Sequence, residues 1–269
     1  MSGSVLLFPG QGAQKVGMGR DVCERYAVAR AAFQEASDTI EIDLRRVCFE
    51  GPQDALERTD LCQPAILTVS VAVLRAVEQE LGRCLEADCA AGLSLGEYTA
   101  LVAAGALKFA DAVRLVYARG RYMQQACEAT RGTMYCVLGL EDGQVEEASR
   151  RVREAGGLVW PANYNSPGQL VISGTEDGAA RAADLCSKMG ARRVIRLKVA
   201  GAFHTPLMEP AARRLAHELE AAPVCQPSCP VVANVTGEPA GDAERIRPLL
   251  VDQVTSAVRW AQSMRWCEA

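Results

Sequence analysis

Residues 88–97 read Asp-Cys-Ala-Ala-Gly-Leu-Ser-Leu-Gly-Glu and contain the pattern G-x-S-x-G around Ser94. In this pattern a strand turns sharply into a helix and holds the serine above a sheet, and glycines are needed because the turn is strained and crowded. The residues before the pattern are typical of a strand end, and Glu97 to Ala104 are typical of a helix. The stretch therefore predicts a strand–turn–helix unit of an α/β fold, with Ser94 as a nucleophile. A plain Gly-Ser turn at a helix N-cap is the alternative.

Strand and helix patterns continue on both sides of this unit. Val5 to Phe8 is an uninterrupted apolar run closed by Pro-Gly, which predicts a parallel-sheet strand buried on both faces. Shorter apolar segments near Ala87 to Ala91 and Pro230 to Val232 predict further core strands. Apolar residues at three- and four-residue spacing predict the helices Asp21 to Thr39, Gln63 to Leu81, Gly96 to Ala106, Phe109 to Glu128 and Pro206 to Ala222.

The predicted strands and helices are shorter and more closely spaced between residues 132 and 198. Four strands and two helices are predicted there, in the order strand, helix, strand, strand, helix, strand. This order suggests a ferredoxin-like subdomain, residues 132–198, inserted into a larger α/β domain that residues 1–131 and 199–269 form.

Composition narrows the functional classes. Of the 269 residues, 49% are hydrophobic and 23% are charged, and the net charge is -4 without any Lys/Arg block, so neither nucleic acid nor a membrane surface is expected as a partner. No apolar run approaches the roughly 18 residues of a membrane span, and the N-terminus carries no targeting signal. The eleven cysteines are an odd number without a C-x-x-C pair, and there are two histidines. We therefore expect a soluble cytoplasmic protein with reduced thiols, no disulfide framework and no metal.

One of the two histidines is a candidate base for Ser94. His204 follows a predicted strand and precedes a helix start marked by Pro206, which is where α/β folds place functional loops. His217 falls on the polar face of a predicted helix and is expected at the surface. A serine needs a base to become nucleophilic, and histidine is the usual one. No acidic residue between Ser94 and His204 is placed to complete a triad, so a dyad with a backbone carbonyl holding the imidazole is the better hypothesis.

Arg119 is a candidate anion-binding residue. It lies at the flank of the apolar stripe of the helix from Phe109, whereas Arg114 and Arg121 fall on the far side. A guanidinium surrounded by apolar side chains needs an anion as partner, and its planar set of N–H donors suits a carboxylate. An internal Glu partner and a substrate carboxylate are both open on this argument.

Five motifs jointly resemble one family. They are Phe8-Pro9-Gly10-Gln11-Gly12, Gly92 to Glu97, Arg119-Gly120, Asn163 to Gly168 and Ala202 to Met208. Their order and spacing are similar, over nearly the whole chain, to the malonyl-CoA:acyl-carrier-protein transacylases and the related acyltransferase domains of polyketide synthases. The resemblance implies an α/β-hydrolase-like core with a parallel sheet and a ferredoxin-like insertion.

The resemblance also implies a chemistry. Malonyl-CoA would acylate Ser94, and the phosphopantetheine thiol of an acyl carrier protein would then take the acyl group in a ping-pong reaction, with no bound cofactor and with a monomeric enzyme. His204 would be the base, and Arg119 would bind the malonyl carboxylate.

The remaining roles follow from the same resemblance. Backbone N–H groups of Gln11 and of Leu95, the residue after the nucleophile, would bind the oxyanion. The carbonyl of Gln253 would orient the imidazole of His204. Phe203 and Asn165 would contact substrate.

Two departures from the family pattern stand out. The residue before the nucleophile is Leu93, where the family usually has histidine, and the family usually continues beyond the position of Ala269 with a Gly-rich strand and a basic helix. The alternatives are a serine acyl-thioester hydrolase, a trans-acting polyketide acyltransferase with another extender unit, and an inactive module that docks a carrier protein.

Overall fold

The computed structural model describes residues 3–199 and 201–269, which form a mixed α/β protein. The strands are β1 (Val5–Phe8), β2 (Cys89–Gly92), β3 (Gly132–Leu138), β4 (Val159–Ser166), β5 (Gln169–Thr175), β6 (Arg193–Arg196), β7 (Val231–Ala233) and β8 (Glu238–Pro239). The α-helices are α1 (Arg20–Arg25), α2 (Ala27–Ile40), α3 (Leu44–Glu50), α4 (Gln53–Glu57), α5 (Thr59–Leu81), α6 (Leu95–Ala103), α7 (Phe109–Ala129), α8 (Asp142–Glu154), α9 (Glu176–Lys188), α10 (Glu209–Ala221), α11 (Ala243–Thr255) and α12 (Trp260–Glu268).

The described residues divide into two compact units. The first contains residues 3–121, 217–233 and 239–247. The second contains residues 122–199, 201–216, 234–238 and 248–269.

A parallel sheet with β2 between β1 and β7 organises the first unit. β1 pairs with β2 from Val5 opposite Cys89 to Phe8 opposite Gly92. β2 also pairs with β7, with Ala90 opposite Val231. All four residues of β2 are small and buried, which suits a central strand. β1 has the predicted bounds, and the further core strands predicted near Ala87 to Ala91 and Pro230 to Val232 are confirmed, each shifted by one or two residues.

The prediction that β1 is buried on both faces is wrong. Val5 is 36% exposed and Leu7 is 52% exposed. β1 is an end strand of its sheet, so within the described residues β2 is its one neighbour in the ladder. A short apolar run has the same appearance in an edge strand and in a central strand, which is why the sequence pattern misleads here.

The predicted helix Asp21 to Thr39 is two helices. α1 and α2 are separated at Tyr26, whose backbone is extended at φ -116° and ψ 124°. Apolar spacing continues through this break, so periodicity alone does not detect it.

Helix α5 begins at Thr59, four residues before the predicted start at Gln63. Pro64 lies inside the helix and therefore does not mark its beginning. α5 is long and apolar enough to cross a membrane by length and composition, but 56% of its most apolar window is buried inside the protein, as in the core helices of soluble proteins. Helices α3, α4, α11 and α12 were not predicted.

An antiparallel sheet in the order β4-β5-β3-β6 forms the centre of the second unit. β3 pairs with β5 from Gly132 opposite Thr175 to Leu138 opposite Gln169. α8 and α9 pack on this sheet through a core cluster that includes Val145, Ala182 and Ile172. The strands and helices between residues 132 and 198 follow the predicted chain order.

Candidate active site

Ser94 lies in the sharp turn between β2 and α6 in the first unit. Its backbone has φ 51° and ψ -101°, a conformation that is costly for a residue with a side chain. A Cβ on Gly92 would lie 1.9 Å from the carbonyl carbon of Gly96, and a Cβ on Gly96 would lie 2.4 Å from the carbonyl oxygen of Phe8. Both glycines of the G-x-S-x-G pattern are therefore required sterically. The predicted strand–turn–helix unit is confirmed.

The loop after β1 lies against this turn. The N–H of Leu93 donates to the carbonyl of Phe8 at 3.1 Å, and a Cβ on Gly10 would lie 2.4 Å from the carbonyl oxygen of Leu93. Gln11, the next residue, is half-buried. Leu95 is the first residue of α6, where backbone N–H groups have no carbonyl partner within the helix. The Gln11 loop and the Leu95 amide thus belong to two segments that touch beside Ser94.

Arg119 is the largest fully buried side chain of the described residues, at 1% exposure. Its Nη2 donates to Ser94 Oγ at 2.9 Å, and its Nη1 donates to Gln63 Oε1 at 2.6 Å. The guanidinium carbon lies 5.7 Å from the ring centroid of Tyr98. The predicted burial of Arg119 is confirmed, as is the exposure of Arg114. The cation is therefore placed directly on the serine hydroxyl.

Burial dominates the electrostatics of this cation. Desolvation lowers the pKa of Arg119, while Tyr98 and Glu97 nearby act in the opposite direction. Glu97 is itself buried. Burial raises the pKa of the Tyr98 hydroxyl, which the positive charge of Arg119 partly opposes. A guanidinium keeps its charge even when its pKa falls, so Arg119 remains an anion-binding group.

Gln63 and Tyr98 were not identified from the sequence. Gln63 lies on α5 and Arg119 on α7, 56 residues further along the chain. An internal glutamate was one of the two partners left open for Arg119, and the observed acceptor of its Nη1–H is a neutral amide. One signal was present in the sequence, since a glutamine at an apolar position of a core helix needs a polar partner.

His204 lies in the second unit, in the loop before the 3₁₀ turn Pro206–Met208. It is 5% exposed and has φ 58°, one of three non-glycine residues with positive φ among those described. Its Nδ1–H donates to the backbone carbonyl of Gln253 at 2.9 Å. With Nδ1 protonated, Nε2 carries the lone pair and is the ring nitrogen that can accept a proton.

The loop that carries His204 is held on both sides. Thr205 Oγ1 donates to the carbonyl of Ala202 at 2.7 Å and accepts from the N–H of Leu207 at 3.3 Å. A Cβ on Gly201 would lie 2.1 Å from the Sγ of Cys127, so the chain passes close to α7 there. These contacts fix the backbone on each side of the imidazole.

The other predicted residues are placed as follows. Phe203 is buried next to His204 in the second unit. Asn165 is half-buried at the irregular end of β4, between Tyr164 and Ser166, where the register shifts. His217 is exposed on α10 with its Nδ1 3.8 Å from Glu220, as predicted for the polar face. The structure brings together Ser94 with Arg119, and His204 with Gln253; each pair lies within one unit.

Seven of the eleven cysteines are buried. Burial raises the pKa values of Cys48 and Cys62 to about 12. The N–H of Gly12, the residue after Gln11, partly opposes this shift at Cys62. Within residues 3–199 and 201–269, no three His, Cys, Asp or Glu side chains are grouped so as to hold a metal ion.

The sequence matches the acyl transferase domain family over residues 5–268. This match covers nearly the whole chain and includes Ser94, Arg119 and His204. It defines the class of protein as an acyltransferase.

Individual relatives narrow the class. The malonyl CoA-acyl carrier protein transacylase of Bacillus subtilis is 42% identical over 264 residues, 98% of this chain and 82% of the relative. The enzyme of the same name from Escherichia coli K12 is 41% identical over 269 residues, 100% of this chain and 86% of the relative. The chain belongs to the malonyl CoA-acyl carrier protein transacylase family.

Solved structures agree with this assignment. The acyl carrier protein S-malonyltransferase of Vibrio cholerae superposes with a TM-score of 0.94 at 42% identity, covering 99% of this chain and 86% of that chain. A malonyl-transacylase in complex with a type II PKS acyl-carrier protein superposes with the same TM-score at 41% identity, covering 99% of this chain and 85% of that chain.

Proposed function

We propose that this chain transfers a malonyl group from CoA to the phosphopantetheine thiol of an acyl carrier protein through a covalent Ser94 acyl-enzyme. The observation that carries the proposal is the 2.9 Å contact between Arg119 Nη2 and Ser94 Oγ. In malonyl, one methylene separates the reacting carbonyl from the carboxylate. A buried cation at the nucleophile therefore suits a short acyl group that ends in a carboxylate. The names of the relatives support the same substrate and acceptor.

In the proposed first half-reaction, Ser94 Oγ attacks the thioester carbonyl carbon while Nε2 of His204 takes the hydroxyl proton. The negative charge on the carbonyl oxygen is stabilised by N–H groups of Gln11 and Leu95. When the tetrahedral intermediate collapses, the carbon–sulfur bond breaks, and the proton on His204 passes to the departing CoA sulfur.

The second half-reaction runs the same steps with another thiol. His204 takes the proton of the phosphopantetheine thiol, whose sulfur attacks the acyl-Ser94 ester. Collapse of this intermediate breaks the carbon–oxygen bond and returns the proton to Ser94 Oγ. Ser94 and His204 lie in different units, so their pairing is part of the proposal and rests on the family membership. The carbonyl of Gln253 supports it by holding the tautomer in which Nε2 carries the lone pair that accepts the proton.

The remaining assignments complete the proposal. Phe203 limits the size of the acyl group beside His204, and Asn165 contacts substrate. Serine and histidine supply the acid–base chemistry of both halves, so no bound cofactor is required. The protein acts as a cytoplasmic monomer, with no nucleic-acid or membrane partner.

We also propose the finer description of the fold. Residues 1–131 and 199–269 form an α/β-hydrolase-like core, and residues 132–198 form a ferredoxin-like subdomain. The parallel sheet of the first unit and the strand order β4-β5-β3-β6 of the second support these names.

The test is intact-mass spectrometry after incubation with malonyl-CoA, followed by addition of a holo acyl carrier protein. We expect a malonyl adduct on the wild-type enzyme that moves to the carrier. Ser94→Ala should form no adduct and should still fold, because the change removes a single hydroxyl from a half-buried position. A malonyl adduct on Ser94→Ala would overturn the assignment of the nucleophile.

The same experiment separates the alternatives. An adduct lost to water at the same rate with and without carrier indicates a thioester hydrolase. An adduct with another extender unit but not with malonyl indicates a different acyltransferase of polyketide synthesis. Absence of any adduct on the wild type indicates a module that docks a carrier without catalysis.

A further inference from the structure

The contact between Arg119 and Gln63 has no role in the chemistry described above. Gln63 is 1% exposed, and its side-chain carbonyl accepts the Nη1–H of Arg119 at 2.6 Å. The other terminal nitrogen, Nη2, donates to Ser94. Because a guanidinium is planar, fixing Nη1 also fixes the direction in which Nη2 points. Gln63 thus holds one terminal nitrogen of the guanidinium while the other contacts the nucleophile.

The acceptor at position 63 is neutral, and this matters for binding an anion. An amide carbonyl satisfies one N–H without cancelling the positive charge. A carboxylate at this position would form a buried ion pair with Arg119 and compete with the carboxylate of a substrate. Burial lowers the pKa of Arg119, and the buried Glu97, at another position in the chain, partly opposes this shift. Gln63 therefore orients the guanidinium without adding a negative charge of its own.

Helix packing brings the two side chains together. Gly120, the residue after Arg119, lies against the first turn of α5. A Cβ there would be 2.5 Å from the carbonyl oxygen of Thr59 and 2.8 Å from the Cα of Asp60. Only a glycine permits this approach of the backbones of α5 and α7. The same approach sets the distance that Gln63 spans.

We propose that Gln63 is the positioning residue of Arg119, and that it thereby determines the preference of the enzyme for acyl thioesters bearing a free carboxylate. The inference rests on the proposed function, in which Arg119 binds that carboxylate. Gln63 acts through Arg119 and does not itself touch the reacting atoms.

Two variants test the role of Gln63. Gln63→Met keeps the length and apolar volume of the side chain but removes the carbonyl, and we expect the malonyl-to-acetyl ratio of kcat/KM to fall about tenfold or more, the scale of a hydrogen bond to a charged group. The loss should be in KM for malonyl-CoA, because the lost contact affects binding of the carboxylate. Gln63→Glu should lower the ratio further by competing for the guanidinium. Acetyl transfer should fall less than malonyl transfer in both variants, since acetyl has no carboxylate to place.

The matched control is Thr68→Val. Thr68 is buried on the same helix, and its hydroxyl donates to the carbonyl of Pro64 within that helix. We expect this variant to keep the wild-type ratio. If Gln63→Met lowered malonyl and acetyl transfer equally, or left the ratio unchanged, Gln63 would have no part in selectivity. Melting temperatures identify a variant that does not fold, and Gln63→Glu, which keeps the shape of glutamine, then decides the question.

A second measurement separates this inference from the proposed function. In NMR spectra of ¹⁵N-labelled free enzyme, rotation of the Nη1 group of Arg119 should be slow in the wild type and fast in Gln63→Met. Unchanged slow rotation would overturn the positioning role. If instead Arg119→Ala kept the wild-type malonyl preference, the carboxylate assignment would fail together with the effect of Gln63 on selectivity, whatever the NMR result. If Arg119→Ala lost the preference while Gln63→Met kept it, only the present inference would fail.

Discussion

At the scale of single residues, the backbone is strained at both proposed catalytic positions. Ser94 and His204 have φ values of 51° and 58°. Each conformation costs on the order of 1–3 kcal/mol and persists only where the surroundings hold it. At Ser94 the crowded glycine turn holds it, and at His204 the contacts of Thr205 and Gly201 do. Both side chains thereby have a fixed direction before any substrate binds.

The two histidines give a residue-scale prediction. His204→Ala should slow acylation by malonyl-CoA on the order of a thousandfold or more, because a nucleophile and its base act as a unit. His217→Ala should leave the rate within about twofold, since His217 is solvated on α10 and makes no contribution to a proton transfer. The measurement is the single-turnover rate of adduct formation by quenched-flow mass spectrometry. A similar loss in His217→Ala would show that the wrong histidine has been assigned.

Arg119 and Phe203 give a second prediction, on substrate choice. Arg119→Ala should depress kcat/KM for malonyl-CoA sharply and narrow the gap to acetyl-CoA, because a charge-assisted pair of about 2–5 kcal/mol is lost. Phe203→Ser should mainly raise transfer of methylmalonyl-CoA, an effect of about 1–3 kcal/mol for one methyl group. Steady-state kinetics with the three thioesters checks both.

The control for Arg119 lies on the same helix. Arg114 is exposed and pairs with Asp111 at 2.7 Å, so Arg114→Ala should keep the wild-type preference. If Arg119→Ala kept the wild-type preference for malonyl-CoA over acetyl-CoA in kcat/KM, Arg119 would not be part of the substrate site.

At the scale of elements, the approach of α5 to α7 supports the buried cation. Gly120→Ala should reduce the free energy of unfolding by about 1–3 kcal/mol, because the added Cβ meets the Thr59 carbonyl and the helices must separate. It should also weaken malonyl preference by displacing Arg119. A Cβ added to Gly143, in the first turn of α8, would meet no atom within 4 Å. Gly143→Ala should therefore be neutral or stabilising by up to about 1 kcal/mol. Urea unfolding compares the two, and equal effects would contradict the packing argument.

At the scale of the whole molecule, buried thiols link stability to pH. The pKa of Cys48 is raised from 9.0 to about 12 by burial. Between these two pH values the folded protein keeps a proton that the unfolded chain has lost. The free energy of unfolding therefore has its full value below pH 9 and declines as the pH rises toward 12. Cys62 and Cys127, also with pKa values of about 12, add to the decline.

The pH prediction can be tested with one thiol at a time. Replacing Cys48 by Ala removes one of these protons, so the loss of unfolding free energy between about pH 8 and pH 10 should be smaller by about 1.4 kcal/mol than in the wild type. Cys84 is exposed, and Cys84→Ser should show the wild-type dependence on pH. Urea unfolding at the two pH values provides the comparison. A Cys48→Ala curve parallel to that of the wild type would show that this thiol ionises equally in both states.

The sequence by itself determined the local features. The glycines around Ser94 predicted the nucleophile turn because their steric need is met within a few residues. The apolar stripe of α7 predicted that Arg119 is buried. The element order between residues 132 and 198 could be read because each element there is short and bounded by turn residues. Family motifs supplied Gln11, Gln253 and the substrate class, which periodicity alone does not reveal.

Only the tertiary structure decided what depends on residues distant in the chain. The exposure of β1 depends on which strands flank it, and a run of four apolar residues does not encode its neighbours. The break at Tyr26 is invisible to a spacing that continues through it. Gln63 reaches the Nη1 group of Arg119 because Gly120 lets α7 approach α5 closely. This distance is set by packing between two helices, and no pattern within either helix specifies it.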